Sequence, residues 1–134
     1  MIKNIFLIVL TLFVFNFASA QKNETSNVYF LRSTGLFGTV IPFKIFINGV
    51  KVCDLNNKRY SIHNLPIGKH ECSVTFRGSN QNQKCVIFVE PNITKYVQFY
   101  FKDDVFDFKI YCEEIEENIA TEIIKKMKED TKCF

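Results

Sequence analysis

Short segments rich in Val, Ile, Phe and Tyr recur along most of this chain and are separated by turn residues. About eight of them lie between residues 27 and 112, at intervals of roughly 8 to 12 residues. Such spacing is typical of two-layer β-proteins, in which each short strand alternates buried and exposed side chains. The pattern therefore predicts a mainly β fold, an antiparallel β-sandwich of immunoglobulin-like or prealbumin-like type, over residues 27–112.

Two turns fix the expected hairpins most clearly. Asn48-Gly49 separates two apolar-rich runs, and this dipeptide supplies the two positive-φ residues of a type I′ turn. The stretch "YSIHNLPIGKHECSV" contains Pro66 and Gly68, which favour a bend between two further strands. We interpret this second stretch as a turn, although it also carries His63, His70 and Cys72.

The C-terminal segment changes its period. In "EEIEENIATEIIKKMKED" the residues Ile115, Ile119, Ile123 and Met127 are spaced as one stripe of a helix. Acidic residues crowd its start and lysines its end, as the helix dipole favours. The pattern predicts a C-terminal amphipathic helix over residues 113–131, packed on its own sheet or, alternatively, on a partner.

The N-terminal residues have the pattern of a signal sequence. Residues 1–20 combine Lys3, an apolar run and the small-residue exit Ala18-Ser19-Ala20, which together are typical of a secretory signal peptide. The apolar run is shorter than a membrane-spanning helix, which needs about 20 residues, so we expect no membrane-spanning segment once the signal peptide is cleaved. Without Lys3, the chain has 16 basic and 14 acidic residues, a balance that does not favour nucleic acid. We expect a secreted or periplasmic protein.

The five cysteines all lie in the exported part, where disulfides can form. Their odd number leaves at least one thiol without an intramolecular partner, and no C-x-x-C motif indicates a redox or zinc site. Spacing alone leaves the connectivity open. We expect a disulfide between Cys72 and Cys85, which flank one hairpin, and an unpaired Cys133.

Two groups of residues could form a site. His63, His70 and Cys72 could hold a metal ion or act as a thiol site, but the alternative places Cys72 in the core and His70 at a wet strand end. Tyr96 and Tyr100 share one face of a strand and could form a stacking platform for a sugar or peptide, or simply cover the sandwich. The sequence predicts no catalytic residues, no metal site and no cofactor.

One family resemblance can be given. The segment "VYFLRSTGLFGTVIPFKIFINGVKVCDLNNKRYSIHNLPIGKHECSV" resembles the bacterial secreted domain of unknown function 2846 and, more distantly, prealbumin-like and PEGA-type domains. The matching positions are Tyr29, Arg32, Gly35 or Gly38, Gly49, Lys51, Val52, Tyr60, Pro66, Gly68, Lys69 and His70. The chain departs from the family at Ile67, which separates the proline and the glycine, and it has no lipidation cysteine. The resemblance implies a small β-sandwich and no established activity.

We therefore predict an exported, non-enzymatic β-sandwich module that serves binding or assembly in the cell envelope, with an unidentified envelope protein or ligand as its partner. The alternative is a domain that binds small ligands or glycans through exposed aromatics.

Overall fold

The computed structural model describes residues 23–35, 40–76, 79–104 and 107–133, with only the backbone described for 79–83, 102–104 and 107–109. The predicted leader, residues 1–20, lies outside these ranges. In the described part of the chain, no helix is both long enough and apolar enough to cross a membrane.

Two sheets and one short helix make up the described residues. The strands are β1 (Thr25–Arg32), β2 (Phe43–Ile47), β3 (Val50–Leu55), β4 (Arg59–Pro66), β5 (Gly68–Phe76), β6 (Ser79–Val89), β7 (Lys95–Asp104), β8 (Asp107–Ile115) and β9 (Lys128–Glu129). The helix α1 (Glu117–Ile124) lies between β8 and β9. The five-stranded sheet has the order β8-β7-β1-β4-β9, and the four-stranded sheet has the order β3-β2-β5-β6.

The predicted β-sandwich is confirmed, but its strands are not antiparallel throughout. The four-stranded sheet is antiparallel throughout, as expected. In the five-stranded sheet β1 runs parallel to β7, and β4 runs parallel to β9. Parallel neighbours need long crossover connections, which the periodicity of single strands does not reveal.

The Asn48-Gly49 turn forms as predicted. Asn48 has a φ of 50° and Gly49 a φ of 80°, and the turn joins β2 to β3. Both residues occupy the positive-φ region that a type I′ turn requires. At the second bend, Gly68 has a φ of 131°, which a side chain would strain, and β5 begins there.

Strand β6 begins earlier than its sequence suggests. The polar run from residue 77 to 84 predicts a loop, but Ser79 pairs with Phe76 and Gln83 with Val74 in an antiparallel ladder. The loop prediction is therefore wrong from Ser79 onward, because backbone pairing with β5 outweighs the weak β-propensity of Asn, Gln and Ser.

The core lies between the two sheets and follows strict alternation. Val28 and Phe30 of β1 point inward and are fully buried, as is Phe99 of β7. They pack against inward side chains of the four-stranded sheet, among them Ile45, Val74 and Ile87. Each such side chain contributes about 1.5–3 kcal/mol by leaving water, so this alternation stabilises the sandwich.

The helix is shorter than predicted. Residues 113–115 continue β8, where Ile115 pairs with Tyr96 of β7, and helix α1 has only eight residues. Ala120 is fully buried against the five-stranded sheet, whereas Ile119 is 49% exposed. Packing on its own sheet is thereby confirmed. Ile115, Ile123 and Met127 of the predicted stripe pack with Ala120 against that sheet, and only Ile119 of the stripe faces outward.

A buried arginine joins the two sheets at one end. Arg32 is fully buried, and its Nη1 donates to the carbonyls of Ile41 and Leu55, both at 2.8 Å. Its guanidinium carbon lies 3.7 Å from the centre of the Phe43 ring. Burial lowers the pKa of Arg32 to about 10. These contacts compensate the cost of burying the charge.

Candidate functional site

The outer face of the five-stranded sheet carries all five tyrosines of the chain. In register, Tyr29 lies beside Tyr96, and Tyr100 lies beside Tyr111. The ring of Tyr29 lies 5.9 Å from that of Tyr60 and 5.2 Å from that of Tyr96, measured between centroids. These three rings pack under helix α1, so most of this aromatic surface is internal.

The predicted platform is therefore divided by the helix. Tyr96 is only 9% exposed and lies beneath α1, so its ring is not open to a ligand from solvent. Tyr100 is half-buried and stacks on Tyr111 at 5.7 Å. Burial raises the pKa of both Tyr96 and Tyr100, assisted by the carboxylates of Glu117 and Glu113 respectively.

His70 holds two turns together. Its Nε2 lies 2.7 Å from the carbonyl oxygen of Pro66, and because a carbonyl only accepts, Nε2 carries the hydrogen. Its Nδ1 then accepts from the side-chain amide of Asn48 at 2.9 Å. The side-chain oxygen of Asn48 accepts from the backbone N–H of Glu71 at 2.9 Å. His70 is 8% exposed, so the expectation of a wet strand end is wrong.

His63 lies in a different place, on the inner face of β4. It is 5% exposed, its ring lies 4.9 Å from that of Phe30, and its Nε2 lies 2.9 Å from Ser61 Oγ. His63 and His70 thus have separate hydrogen-bond partners, and Cys72 lies beside Cys85 and Cys112. Among the described residues, no cluster of three or more His, Cys, Asp or Glu side chains could hold a metal ion.

A disulfide closes one edge of the sandwich. Cys53 of the edge strand β3 is bonded to Cys133, which lies in the segment after β9, the edge strand of the other sheet. The prediction that Cys133 is unpaired is therefore wrong. Residues 53 and 133 are far apart in sequence, and only the return of the chain through α1 and β9 brings them together.

The other three cysteines meet at the opposite edge. Cys72 and Cys85 are directly opposite each other on β5 and β6, as the sequence suggested, but both are thiols here. Cys112 reaches them from β8 of the other sheet, and its Sγ lies 4.0 Å from the Cys72 carbonyl oxygen. Sequence spacing gave no sign of this third member, because β8 is brought to β6 only by the sandwich.

Hydrogen bonds among these thiols make them unequal. Cys85 accepts from both Cys112 and Cys72, which lowers the pKa of Cys85. The hydrogen bond to Cys85, together with burial, raises the pKa of Cys72 and of Cys112. Cys85 is also half-buried, whereas Cys72 is fully buried. Among the three, Cys85 is the thiol that ionises most readily.

The outer face of the four-stranded sheet differs from the tyrosine face. On β6, Val86 is 45% exposed and Phe88 is 59% exposed, so no described element covers them. Val86 lies opposite Glu71 and Phe88 opposite Lys69 on β5. We call Val86 and Phe88 the β6 patch. The sequence does not predict their exposure, because "CVIFV" is apolar at every position and shows no alternation of polar and apolar residues.

These features define a two-sheet β-sandwich with one helix-covered face, one open face and a cysteine group at each edge. Comparison with protein-family models and with curated proteins found no match to this chain.

Proposed function

We propose that this protein is an exported, non-enzymatic module that binds another protein of the cell envelope through the outer face of its four-stranded sheet. The resemblance to the secreted domain of unknown function 2846 belongs to the same proposal. The observation that carries it is the exposure of Phe88, 59%, beside Val86, 45%, on a strand whose alternate side chains form the core.

Exposed apolar groups of this kind are typical of contact surfaces when polar residues surround them. Here Lys69, Glu71 and Lys84 surround the β6 patch, and Lys84 forms an ion pair with Glu71 at 3.2 Å. Both signs of charge are present, so the surface suits a protein with an apolar centre better than it suits a polyanion. The contrast with the other sheet, which its own helix covers, supports the same choice.

The test compares matched substitutions of exposed valines. Val86→Thr changes the patch, and Val50→Thr, at a residue 66% exposed on the opposite edge strand, is the control. The mature protein is cross-linked in its native envelope, and the complex is quantified by mass. We expect Val86→Thr to reduce one defined complex several-fold and Val50→Thr to leave it unchanged. Equal yields from both variants would contradict the proposal.

A second function rests on Tyr100 and Tyr111, whose stacked rings lie at the end of the face that carries the tyrosines, with Glu113 hydrogen-bonded to Tyr100. Aromatic rings beside a carboxylate suit a neutral sugar or a small cation. Titration with neutral oligosaccharides and with choline, followed by tyrosine fluorescence, tests it. We expect saturable binding that Tyr100→Leu abolishes and Tyr29→Phe retains; a flat titration would exclude these ligands.

A further inference from the structure

We propose that Cys85 and Cys112 form a redox-active pair that an external disulfide oxidises, closing the second edge of the sandwich as Cys53–Cys133 closes the first. The proposal is independent of the binding function above. It rests on the position of the three thiols between β5, β6 and β8.

The position of the strands favours this pair over Cys72 and Cys85. Directly opposite residues of an antiparallel pair hold their Cβ atoms about 4.5–5.5 Å apart, and their side chains leave the sheet side by side. Disulfides hold their Cβ atoms about 3.5–4.5 Å apart, with a mean near 3.8 Å. Cys112 instead approaches from the facing sheet: Cys85 and Cys112 both pack against the core between the sheets, and Cys112 Sγ lies 4.0 Å from the carbonyl oxygen of Cys72, the residue opposite Cys85. A bond between Cys72 and Cys85 would bring their Cβ atoms closer than the usual spacing of opposite residues.

Accessibility also separates the roles of the thiols. Cys72 is fully buried, while Cys85 and Cys112 are half-buried on the edge strands β6 and β8. An incoming disulfide therefore meets Cys85 or Cys112 first. Cys85 accepts hydrogen bonds from the other two thiols, which stabilises its thiolate, the reactive form. We assign Cys85 as the attacking sulfur and Cys112 as the resolving sulfur.

The reaction balances as two thiol–disulfide exchanges. The Cys85 thiolate attacks a low-molecular-weight or protein disulfide, RSSR, forming Cys85–S–S–R and releasing one RS⁻. The Cys112 thiol loses its proton and attacks the Cys85 sulfur, which releases the second RS⁻. The two protein thiols lose two electrons and two protons in all, and RSSR is reduced to two RSH.

Peptide mapping tests the pairing directly. Trypsin cuts after Lys51, Lys69, Lys84, Lys109 and Lys132, among other sites, and places each of the five cysteines on a separate peptide. The folded protein, with Cys53–Cys133 intact, is incubated with glutathione disulfide and mapped without reduction. We expect the peptides of Cys85 and Cys112 to be joined. A dominant Cys72–Cys85 bond, or no new bond, would overturn the proposal.

Three variants assign the roles. Cys72→Ser should still form the bond, and Cys112→Ser should stop at a mixed disulfide of glutathione on Cys85. Cys85→Ser should form no bond between the remaining thiols; a Cys72–Cys112 bond in that variant would overturn the proposal. Mapping the first-labelled cysteine of the wild-type protein under limiting iodoacetamide needs no variant, and we expect Cys85. First labelling of Cys72 or Cys112 would contradict the assigned order.

Discussion

The Cys53–Cys133 disulfide gives the most quantitative prediction, because the length of the loop that it closes sets the expected stabilisation. The bonded residues are 80 apart in sequence. Loop-closure entropy assigns about 4.5 kcal/mol to a loop of that length, and measured disulfides typically contribute about 2–4 kcal/mol. We therefore expect Cys133→Ser to lower the free energy of unfolding by about 2–4 kcal/mol, a large part of the about 5–15 kcal/mol of a typical domain.

Urea denaturation of the purified protein measures this loss. At a slope of about 2 kcal/mol per molar urea, the middle of the usual range, the midpoint should fall by roughly 1–2 M. Reductant should lower the midpoint of the wild-type protein and change that of Cys133→Ser much less. Thr131→Ser, in the same exposed segment, is the control and should unfold like the wild type. Equal midpoints for wild type and Cys133→Ser, with the bond verified by mapping, would refute the reasoning.

Three further predictions concern buried polar groups. Arg32→Met should lower the free energy of unfolding by about 2–4 kcal/mol, because it leaves two carbonyls without a donor. Lys44→Met, at an exposed position, is the control and should change it by less than about 0.5 kcal/mol in urea denaturation. Similar losses for both variants would contradict the role of Arg32 as donor to these carbonyls. His70→Ala should lower the free energy of unfolding by about 2 kcal/mol in the same assay, because the Pro66 carbonyl and the Asn48 amide each lose a hydrogen-bond partner. An unchanged midpoint would contradict the role of His70 in joining the two turns. Burial raises the folded-state pKa of three tyrosines above 10.0, so their contribution to stability is complete below pH 10 and is lost as pH rises above it, when the unfolded chain ionises first. The three residues are Tyr60, Tyr96 and Tyr100. Phenolate absorbance of the folded and the urea-unfolded protein measures the difference in pKa, and coincident titration curves would contradict the prediction.

Local chemistry explains which parts of the fold could be predicted. The β2–β3 hairpin was foreseeable because Asn48 and Gly49 alone determine the turn. The length of α1 could not be predicted in this way. Residues 113–115 fit the helical pattern of the sequence, but they pair with β7 as part of β8. The early start of β6 was missed for a related reason: its polar residues form a strand only because β5 lies beside them. Tertiary pairing decided both boundaries.

The candidate site depended even more on long-range structure. Spacing suggested Cys72 with Cys85, and these two do lie opposite each other, but neither Cys112 nor the bond of Cys53 to Cys133 has a local signal. The division of the tyrosine face has the same origin, since Tyr96 and Tyr100 alternate as expected and only the return of α1 covers one of them. Sequence periodicity assigns a face to each side chain, and the packing of distant elements decides which face stays open.

Site-specific photo-cross-linking in living cells tests the binding role most directly. A benzophenone amino acid replaces Phe88 in the β6 patch or, as a control, Ile119 on the exposed side of α1; these residues are 59% and 49% exposed. We expect one adduct of defined mass from position 88, none from position 119, and loss of the adduct when Val86→Thr is added. No adduct from position 88, or the same adducts from both positions, would contradict a partner docked on the open sheet face.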